Sequence, residues 1–241
     1  MGALTAQVER AETDASVRVI AVSGAGGNFS AGYDLTGFFE NYEGASPQAI
    51  RDAISAGNEL ALRIWQLRKP VIAEIEGYCL GGAFEIAMAC DFVMASSSAK
   101  FGEPEIRLAD APPFLISPWI MNMRAAKDLL LTGDVIDAQR ADRLGLLTSV
   151  SEPAELGASV EKMARKLAGF AQETWHLNKS AVNRTYEIMG FRSAIEMGMD
   201  MFMAANTNPS AFKTEFVVRA KRDGFSSALK WAASRYEGAD D

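Results

Sequence analysis

Residues 69–106 read KPVIAEIEGYCLGGAFEIAMACDFVMASSSAKFGEPEI, and this stretch decides the fold. The apolar, mostly branched run at 71–76 follows a proline, which predicts a buried strand. Glycines at 77, 81 and 82 interrupt that run and predict a turn. Residues 83–90 then predict a short buried helix, and residues 91–95 predict a second buried strand. A polar turn over 96–100 leads to Pro104 and Glu105.

Two glutamates stand out in this stretch as candidate functional residues. Glu85 is the only charged residue between positions 83 and 90, on the first turn of the predicted buried helix. A carboxylate is costly to bury, so Glu85 needs either a partner or a chemical task. Glu105 lies twenty positions further on, directly after a proline that restricts the local backbone. A structural ion pair is the competing explanation for either residue.

Composition places the chain among ordinary globular proteins. Its 241 residues suffice for one large domain, or for a domain with an appended subdomain. The net charge of −7 argues against nucleic acid as the main partner. No apolar run reaches the roughly 18 residues that a membrane helix needs, and the N-terminus lacks a signal-peptide stretch. We therefore expect a cytoplasmic enzyme that binds neither nucleic acid nor membrane.

Several common chemistries are excluded by missing residues. The single histidine, His176, cannot form a three-histidine zinc site, and no HExxH motif occurs, so we expect no metal. No GxSxG motif supplies a serine nucleophile. Residues 23–32, SGAGGNFSAG, match neither GxGxxG nor GK[ST], which argues against dinucleotide and P-loop sites. Cys79 and Cys90 are too few for a disulfide framework.

Two loops allow alternative interpretations. In residues 29–35, FSAGYDL, Asp34 could cap a helix over 36–40, or the turn could aim backbone N–H groups into a pocket. Residues 106–120, IRLADAPPFLISPWI, contain three prolines that forbid a long helix. This apolar segment could line a cavity or form an ordinary packed loop. Residues 38–47 predict a mobile flap.

The chain changes character near residue 170. Before it, strands and helices alternate, with helices predicted over 4–13, 48–67, 124–131, 138–144 and 152–168. After it, residues 173–189, 193–205, 209–221 and 227–236 predict helices without intervening strands. Methionines at 189, 197, 199, 201 and 203 crowd this part, and we interpret them as a subunit interface. The predicted organisation is a core over residues 1–170 and a helical oligomerisation region over 171–241.

Three blocks together carry a family resemblance: FSAGYDL at 29–35, the stretch from 75 to 106, and LLLTGDVIDAQRADRLGLL at 129–147. With these blocks in this order, the chain resembles the crotonase (enoyl-CoA hydratase/isomerase) superfamily. The resemblance implies an α/β fold, a spiral of ββα turns followed by helices that assemble trimers or dimers of trimers. It also implies an acyl-CoA thioester as substrate, with no cofactor beyond the coenzyme A that the substrate carries.

The resemblance also implies roles for individual residues. Backbone N–H groups of Tyr33 and Gly82 would form an oxyanion hole, which stabilises an enolate oxygen. Glu85 and Glu105 fill the places of the two glutamates that flank the water in the hydratases. The further substrate-binding positions that it implies are Ala31, Asp34, Leu35, Gly81, Pro104, Pro112 and Phe114.

Possession of both glutamates makes an enoyl-CoA hydratase the leading hypothesis. The alternatives are an enoyl-CoA isomerase, another crotonase-type lyase or hydrolase, and a non-catalytic CoA-binding subunit. Three features depart from the family pattern: ADAPPFLIS replaces a glycine-rich PGAGG segment, Tyr33 is larger than the usual alanine, and the usual N-terminal hairpin does not precede the first helix. The first leaves the acyl specificity open, and the second would narrow the mouth of the pocket.

Overall fold

The structure is a computed structural model that describes residues 2–37 and 44–236. The flap predicted over 38–47 falls largely on positions outside the described residues. Two sheets organise the chain. The first is a four-stranded parallel sheet in the order β1-β2-β4-β7, whose strands are β1 (Ile20–Ser23), β2 (Val71–Ile75), β4 (Phe92–Ser96) and β7 (Ser149–Ser151).

The second sheet has three short strands in the order β3-β5-β6. They are β3 (Tyr78–Leu80), β5 (Lys100–Gly102) and β6 (Ile136–Asp137). The chain passes from β2 in the first sheet to β3 in the second and then enters a helix. It repeats the step from β4 to β5, and this alternation confirms the predicted spiral of ββα turns.

Most of the predicted helices are present, close to their predicted positions. In the first part the helices are α1 (Gly2–Thr13), α2 (Pro47–Gln66), α3 (Gly82–Met88), α4 (Ser117–Ile120), α5 (Met123–Thr132), α6 (Ala138–Arg143) and α7 (Leu156–Ala168). The second part holds α8 (Gln172–Ile188), α9 (Phe191–Thr207), α10 (Ala211–Asp223) and α11 (Phe225–Ala233). Single 3-10 turns span Pro104–Leu108 and Pro153–Glu155.

Residues 69–106 lie at the centre of the core. Strand β2 pairs with β1 on one side and β4 on the other, and all seven residues of α3 are buried. Helix α2 covers this centre through the apolar face that its spacing predicted, including Ile54, Leu60 and Ile64. Its N-terminus is capped by Ser46, whose hydroxyl accepts a hydrogen bond from the Ala49 N–H.

The C-terminal helices are attached to the core by polar and apolar contacts. In α8, Lys179 Nζ lies 2.7 Å from the Asp91 carboxylate and donates to the Lys69 carbonyl at 3.2 Å. Helix α9 packs against α2 through an apolar cluster, which we call the α2–α9 cluster: Ile50, Ile54, Met199, Phe202 and Met203. The division at residue 170 stays a prediction.

The methionine prediction was partly wrong. Met199 and Met203 are buried in the α2–α9 cluster, so they belong to the core of the chain. Their side chains face α2 because α9 packs on it, a relationship that residue spacing within α9 does not reveal. Met189, Met197 and Met201 are exposed, and their role as an interface stays a prediction.

None of the described helices is long and apolar enough to cross a membrane.

Candidate active site

The site forms where two separate segments run side by side. The Ser30 N–H donates to the Tyr78 carbonyl at 2.8 Å, and the Leu80 N–H donates to the Ser30 carbonyl at 3.1 Å. Gly32 follows with φ of 95°, and a Cβ on it would lie 2.8 Å from the Leu80 carbonyl oxygen. Only glycine permits this conformation and this close approach, which brings Tyr33 beside Gly82.

Tyr33 and Gly82 are in direct contact. A Cβ built on Gly82 would lie only 2.4 Å from Cε2 of the Tyr33 ring. Gly82 is the first residue of α3, so its N–H has no partner within the helix. Within the described ranges, neither this N–H nor that of Tyr33 donates a hydrogen bond to another backbone group. Two free N–H donors therefore belong to adjoining residues, as an oxyanion hole requires.

Glu85 lies one helical turn after Gly82 and is only 2% exposed. Its Oε1 accepts a hydrogen bond of 2.8 Å from the backbone N–H of Phe114. Burial raises the pKa of the Glu85 carboxyl well above its ordinary value, and the charges of Glu103 and Glu105 raise it further. Glu85 is therefore poised to hold a proton.

Glu105 lies in the 3-10 turn after β5. Its Oε2 is buried and has no hydrogen-bond partner among the described residues. A Cβ on Gly81 would lie 2.7 Å from Glu105 Oε1, so this carboxylate sits directly against the glycine turn. Burial raises the pKa of Glu105 to about 7; a backbone hydrogen bond opposes the shift and the charge of Asp110 adds to it. Such a group exchanges a proton readily near neutral pH.

A cavity of about 90 Å³ opens at these residues. Seven of the predicted site residues line it: Ala31, Tyr33, Leu35, Gly81, Gly82, Pro104 and Glu105. Glu85 is not among the lining residues, in keeping with its nearly complete burial. The structure thus brings the predicted oxyanion donors and both predicted carboxyls into one place.

Three predicted binding residues are placed elsewhere. Asp34 accepts a hydrogen bond from the Gly37 N–H at 3.0 Å, so its side chain caps the helical turn that begins at residue 35. Phe114 is fully buried, and its contribution to the site is the N–H that binds Glu85. Pro112 does not line the cavity, whereas its neighbour Pro113 does. The Pro113 carbonyl is held by the Asn58 side chain at 2.8 Å.

Although residues 106–120 were expected either to line a cavity or to form a packed loop, five further lining residues were not predicted individually. They are Ile54, Leu108, Asp110, Pro113 and Phe202. Ile54 and Phe202 come from α2 and α9, which are distant in sequence and meet only on folding. Asp110 is paired with Lys213 of α10 at 2.7 Å, and Asn206 of α9 binds both side chains. The segment rich in prolines therefore both lines the cavity and packs into the core.

A third carboxyl, Glu103, is also buried here, at 1% exposure. Its Oε2 is hydrogen-bonded by the hydroxyl of Ser117, itself fully buried. Burial, with the charge of Glu105, raises the pKa of Glu103 to about 8. Glu103 was not predicted as a site residue, because its neighbours Lys100, Glu105 and Arg107 give it the appearance of an ordinary charged surface segment.

Metal ligation has no support in the described part of the chain. No group of three or more histidine, cysteine, aspartate or glutamate side chains there could hold a metal ion. His176 lies in α8, outside the residues that line the cavity. The polar groups of the site are carboxyls, backbone N–H groups and the Tyr33 phenol.

Comparisons with known proteins identify the family of this chain. A family model described as enoyl-CoA hydratase/isomerase matches residues 1–216. The chain is 34% identical over 221 residues to a crotonyl-CoA hydratase of Syntrophomonas wolfei, covering 90% of this chain and 79% of that protein. It is also 34% identical over 222 residues to a short-chain-enoyl-CoA hydratase of Clostridium acetobutylicum, covering 90% and 83%.

A solved structure shares the fold throughout. An enoyl-CoA hydratase/isomerase from Xanthobacter autotrophicus Py2 superposes with a TM-score of 0.93 at 33% identity, covering 98% of this chain and 87% of that one. A Mycobacterium smegmatis enoyl-CoA hydratase gives a TM-score of 0.85 at 28% identity, covering 98% and 84%.

Proposed function

This chain belongs to the enoyl-CoA hydratase/isomerase family, and we propose that it is an enoyl-CoA hydratase, which adds water across the 2,3 double bond of an acyl-CoA thioester. The observation that carries the proposal is the pair of perturbed carboxyls at the Gly81–Gly82 turn: Glu105 lies against Gly81, and Glu85 lies one helical turn after Gly82. Hydration needs one proton acceptor and one proton donor, and this pair supplies both.

The thioester carbonyl binds between the N–H groups of Tyr33 and Gly82. When water attacks C3, negative charge develops on this carbonyl oxygen as an enolate forms. Two fixed donors stabilise that charge without having to reorganise, and loss of one such donor costs roughly 2.7–4 kcal/mol in other enzymes. Their effect is greatest in the transition state, which is what accelerates a reaction.

The carboxyl pair moves the protons. One carboxylate takes a proton from water while the water oxygen bonds to C3, and the other carboxyl gives its proton to C2 of the enolate. The pair holds one proton before and after the reaction, but on opposite members, so that a proton exchange resets it. Raised pKa values of both groups favour such a singly protonated pair near neutral pH. General acid–base assistance of this kind contributes about 10²–10⁴-fold.

The cavity favours a short and uncharged acyl chain. Its volume of about 90 Å³ in the described part of the chain is far below the roughly 300–1,000 Å³ of pockets for drug-sized ligands. Besides Glu105, the charged residue that lines the cavity is Asp110, and its carboxylate is already paired with Lys213. The names of the similar crotonyl-CoA and short-chain-enoyl-CoA hydratases point the same way.

The cofactor requirement, the oligomeric state and the location of the protein are further parts of the proposal. The reaction needs no metal or redox cofactor, since coenzyme A enters with the substrate and carboxyls move the protons. We propose a homotrimer, or a dimer of trimers, in which exposed apolar side chains of the C-terminal helices meet, including Leu177, Val182 and Ile188. A cytoplasmic location is consistent with two buried free cysteines.

Hydration of crotonyl-CoA tests the proposal, measured as the loss of absorbance of the conjugated thioester in ¹⁸O-labelled water. We expect label in the product, and we expect Glu105→Gln to lower turnover at least about 100-fold without lowering the midpoint of thermal unfolding. Glu76→Gln removes the same charge at an exposed position and serves as the control. Near-native turnover of Glu105→Gln would overturn the assignment. Conversion of 3-enoyl to 2-enoyl thioesters without label uptake would indicate an isomerase.

A further inference from the structure

Glu103 is a buried carboxyl that the proposed reaction leaves without a role. It lies between β5 and the 3-10 turn that carries Glu105, and it is almost completely enclosed. The Ser117 hydroxyl binds one of its oxygens. The other oxygen, Oε1, is buried without a hydrogen-bond partner among the described residues. An unpaired buried carboxyl oxygen is costly, which calls for an explanation.

The groups that face Glu103 are themselves carboxyls. Glu85 of α3 and Glu105 of the 3-10 turn both interact with it electrostatically. Beyond them, the Tyr33 phenol lies near Glu85 and Glu105, and Asp110 lies near Glu105. No lysine or arginine within the described ranges forms an ion pair with any of the three glutamates, and Lys213 is engaged by Asp110. Three like charges cannot all ionise freely in such a place.

We propose that Glu103, held by Ser117, is a positioning residue that keeps the shared proton on the Glu85–Glu105 pair as the pH rises. The kinetic consequence rests on the proposed hydratase function, whereas the coupling among the three carboxyls does not. Glu103 touches neither the cavity nor the substrate position and acts through the pair.

The direction of the effect follows from the sign of the charge. The pKa of Glu103 is raised to about 8, so below that pH it is neutral and adds little field. Above it, the new negative charge opposes loss of the remaining proton from the pair, because a like charge raises the pKa of a neighbouring carboxyl. A neutral residue at position 103 therefore lets the pair lose its proton at a lower pH.

A glutamine separates this role from a structural one. Glu103→Gln keeps the size of the side chain and an oxygen that accepts the Ser117 hydrogen bond. A merely structural Glu103 therefore tolerates this substitution without a change in pH dependence. Glu76→Gln is the matched control, since it removes one carboxylate at an exposed site.

The experiment has two readouts on the wild type, Glu103→Gln and Glu76→Gln. Infrared titration of the protonated carboxyl band follows the cluster without substrate, and the pH profile of crotonyl-CoA hydration follows the reaction. For Glu103→Gln we expect the last protonated carboxyl to disappear at lower pH, and the alkaline limb of kcat/KM to move down by roughly half to one pH unit. Glu76→Gln should match the wild type in both. An unmoved alkaline limb, or an infrared titration that merely lacks one independent carboxyl, would overturn the proposal.

Ser117→Ala provides a second variant that keeps the carboxyl in place. The Ser117 hydrogen bond favours the charged form of Glu103, so its loss raises the pKa of Glu103. We expect the alkaline limb to move in the same direction as in Glu103→Gln, by a smaller amount; an opposite or absent shift counts against the proposal even if Glu103→Gln does not fold. If the wild type lacks hydratase activity, the proposed function fails while the infrared titration still decides the coupling.

Discussion

The backbone N–H of Phe114 donates a hydrogen bond of 2.8 Å to Oε1 of Glu85. This bond joins the proline-rich loop to the only charged side chain of the buried helix α3. It orients the carboxyl and satisfies one of its oxygens, which lowers the cost of burying it. The loop therefore positions a proposed catalytic group in addition to lining the cavity.

Substitutions of Glu85 should separate chemistry from stability. Glu85→Gln keeps an acceptor for the Phe114 N–H, so we expect no loss of unfolding free energy and hydration at least about 100-fold slower. Glu85→Ala leaves that buried N–H unpaired and should in addition cost about 1–3 kcal/mol of unfolding free energy. Steady-state hydration and urea unfolding measure the two effects. Equal stability of the two variants would contradict the positioning role of the hydrogen bond.

Removal of the Asp110 charge should move the acid limb of the pH profile. The pKa of Glu105 is about 7, and the negative charge of Asp110 contributes to raising it. Asp110→Asn removes that charge, so the pKa of Glu105 falls and kcat/KM should reach its plateau at lower pH than in the wild type. An acid limb that stays at the same pH, or moves to higher pH, would show that the charge of Asp110 does not raise the pKa of Glu105. Asp134→Asn, at an exposed ion pair with Arg107, is the control.

Tyr33 should limit the length of the acyl chain. Its ring lines the cavity and packs against the α2–α9 cluster, so Tyr33→Ala enlarges the cavity on the side walled by Ile54 and Phe202. We expect kcat/KM for an eight-carbon enoyl-CoA, relative to the four-carbon substrate, to rise at least about tenfold, since each buried methylene contributes about 0.8 kcal/mol. Tyr33→Phe keeps the ring and should leave the ratio unchanged. A similar rise in both variants would point to the hydroxyl instead of the ring.

Gly82 and Tyr33 should show strong coupling in a double-mutant cycle. The methyl group of Gly82→Ala would lie 2.4 Å from the Tyr33 ring, so one of them must move and the oxyanion donors with it. We expect a loss of about 10²–10³ in kcat, the range seen when one oxyanion donor is removed. Tyr33→Ala removes the obstructing ring, so the double variant Tyr33→Ala/Gly82→Ala should recover much of that loss. Additive effects would exclude the ring as the cause.

Stability should depend on pH through Glu103 and Glu105. Both carboxyls have a pKa in the folded chain above the ordinary value of 4.5, at about 8 and about 7. The folded state therefore binds more protons, and this contribution to stability is present below pH 4.5 and is lost as the pH rises through 7 and 8. We expect Glu103→Gln to gain stability relative to the wild type between pH 5 and pH 8, by on the order of 3 kcal/mol. Urea unfolding at the two pH values measures it, and a constant difference would contradict the buried ionisation.

Short strands were the part of the fold that the sequence did not reveal. Strands β3 and β5 have three residues each and adjoin glycines, so neither shows the alternation by which a strand is recognised. They form because parallel pairing of Tyr78 with Lys100 and of Leu80 with Gly102 satisfies their backbone groups. That pairing depends on the spiral as a whole.

The site residues that the sequence predicted correctly are those that their near neighbours in the sequence identify. Glu85 and Gly82 share one helical turn, and Glu105 follows a proline, so residue types and the family resemblance identified them. For Asp34 the sequence predicted a cap, whereas the family resemblance implied substrate binding, because a capping aspartate and a binding aspartate look alike in sequence; its side chain caps a turn. Ile54 and Phe202 could not be found, because they reach the cavity from helices separated by more than a hundred residues.

The sequence by itself determined the buried strand, the glycine turn and the helix with a lone glutamate over residues 69–106. These follow from apolar runs and glycine positions, which act over a few neighbouring residues. Only the tertiary structure decided that Gly82 lies against Tyr33, that Phe114 holds Glu85, and that Glu103 joins the two glutamates without a cation among the described residues. Those relationships depend on burial and on contacts between distant segments, and they set the pKa values on which the proposed chemistry depends.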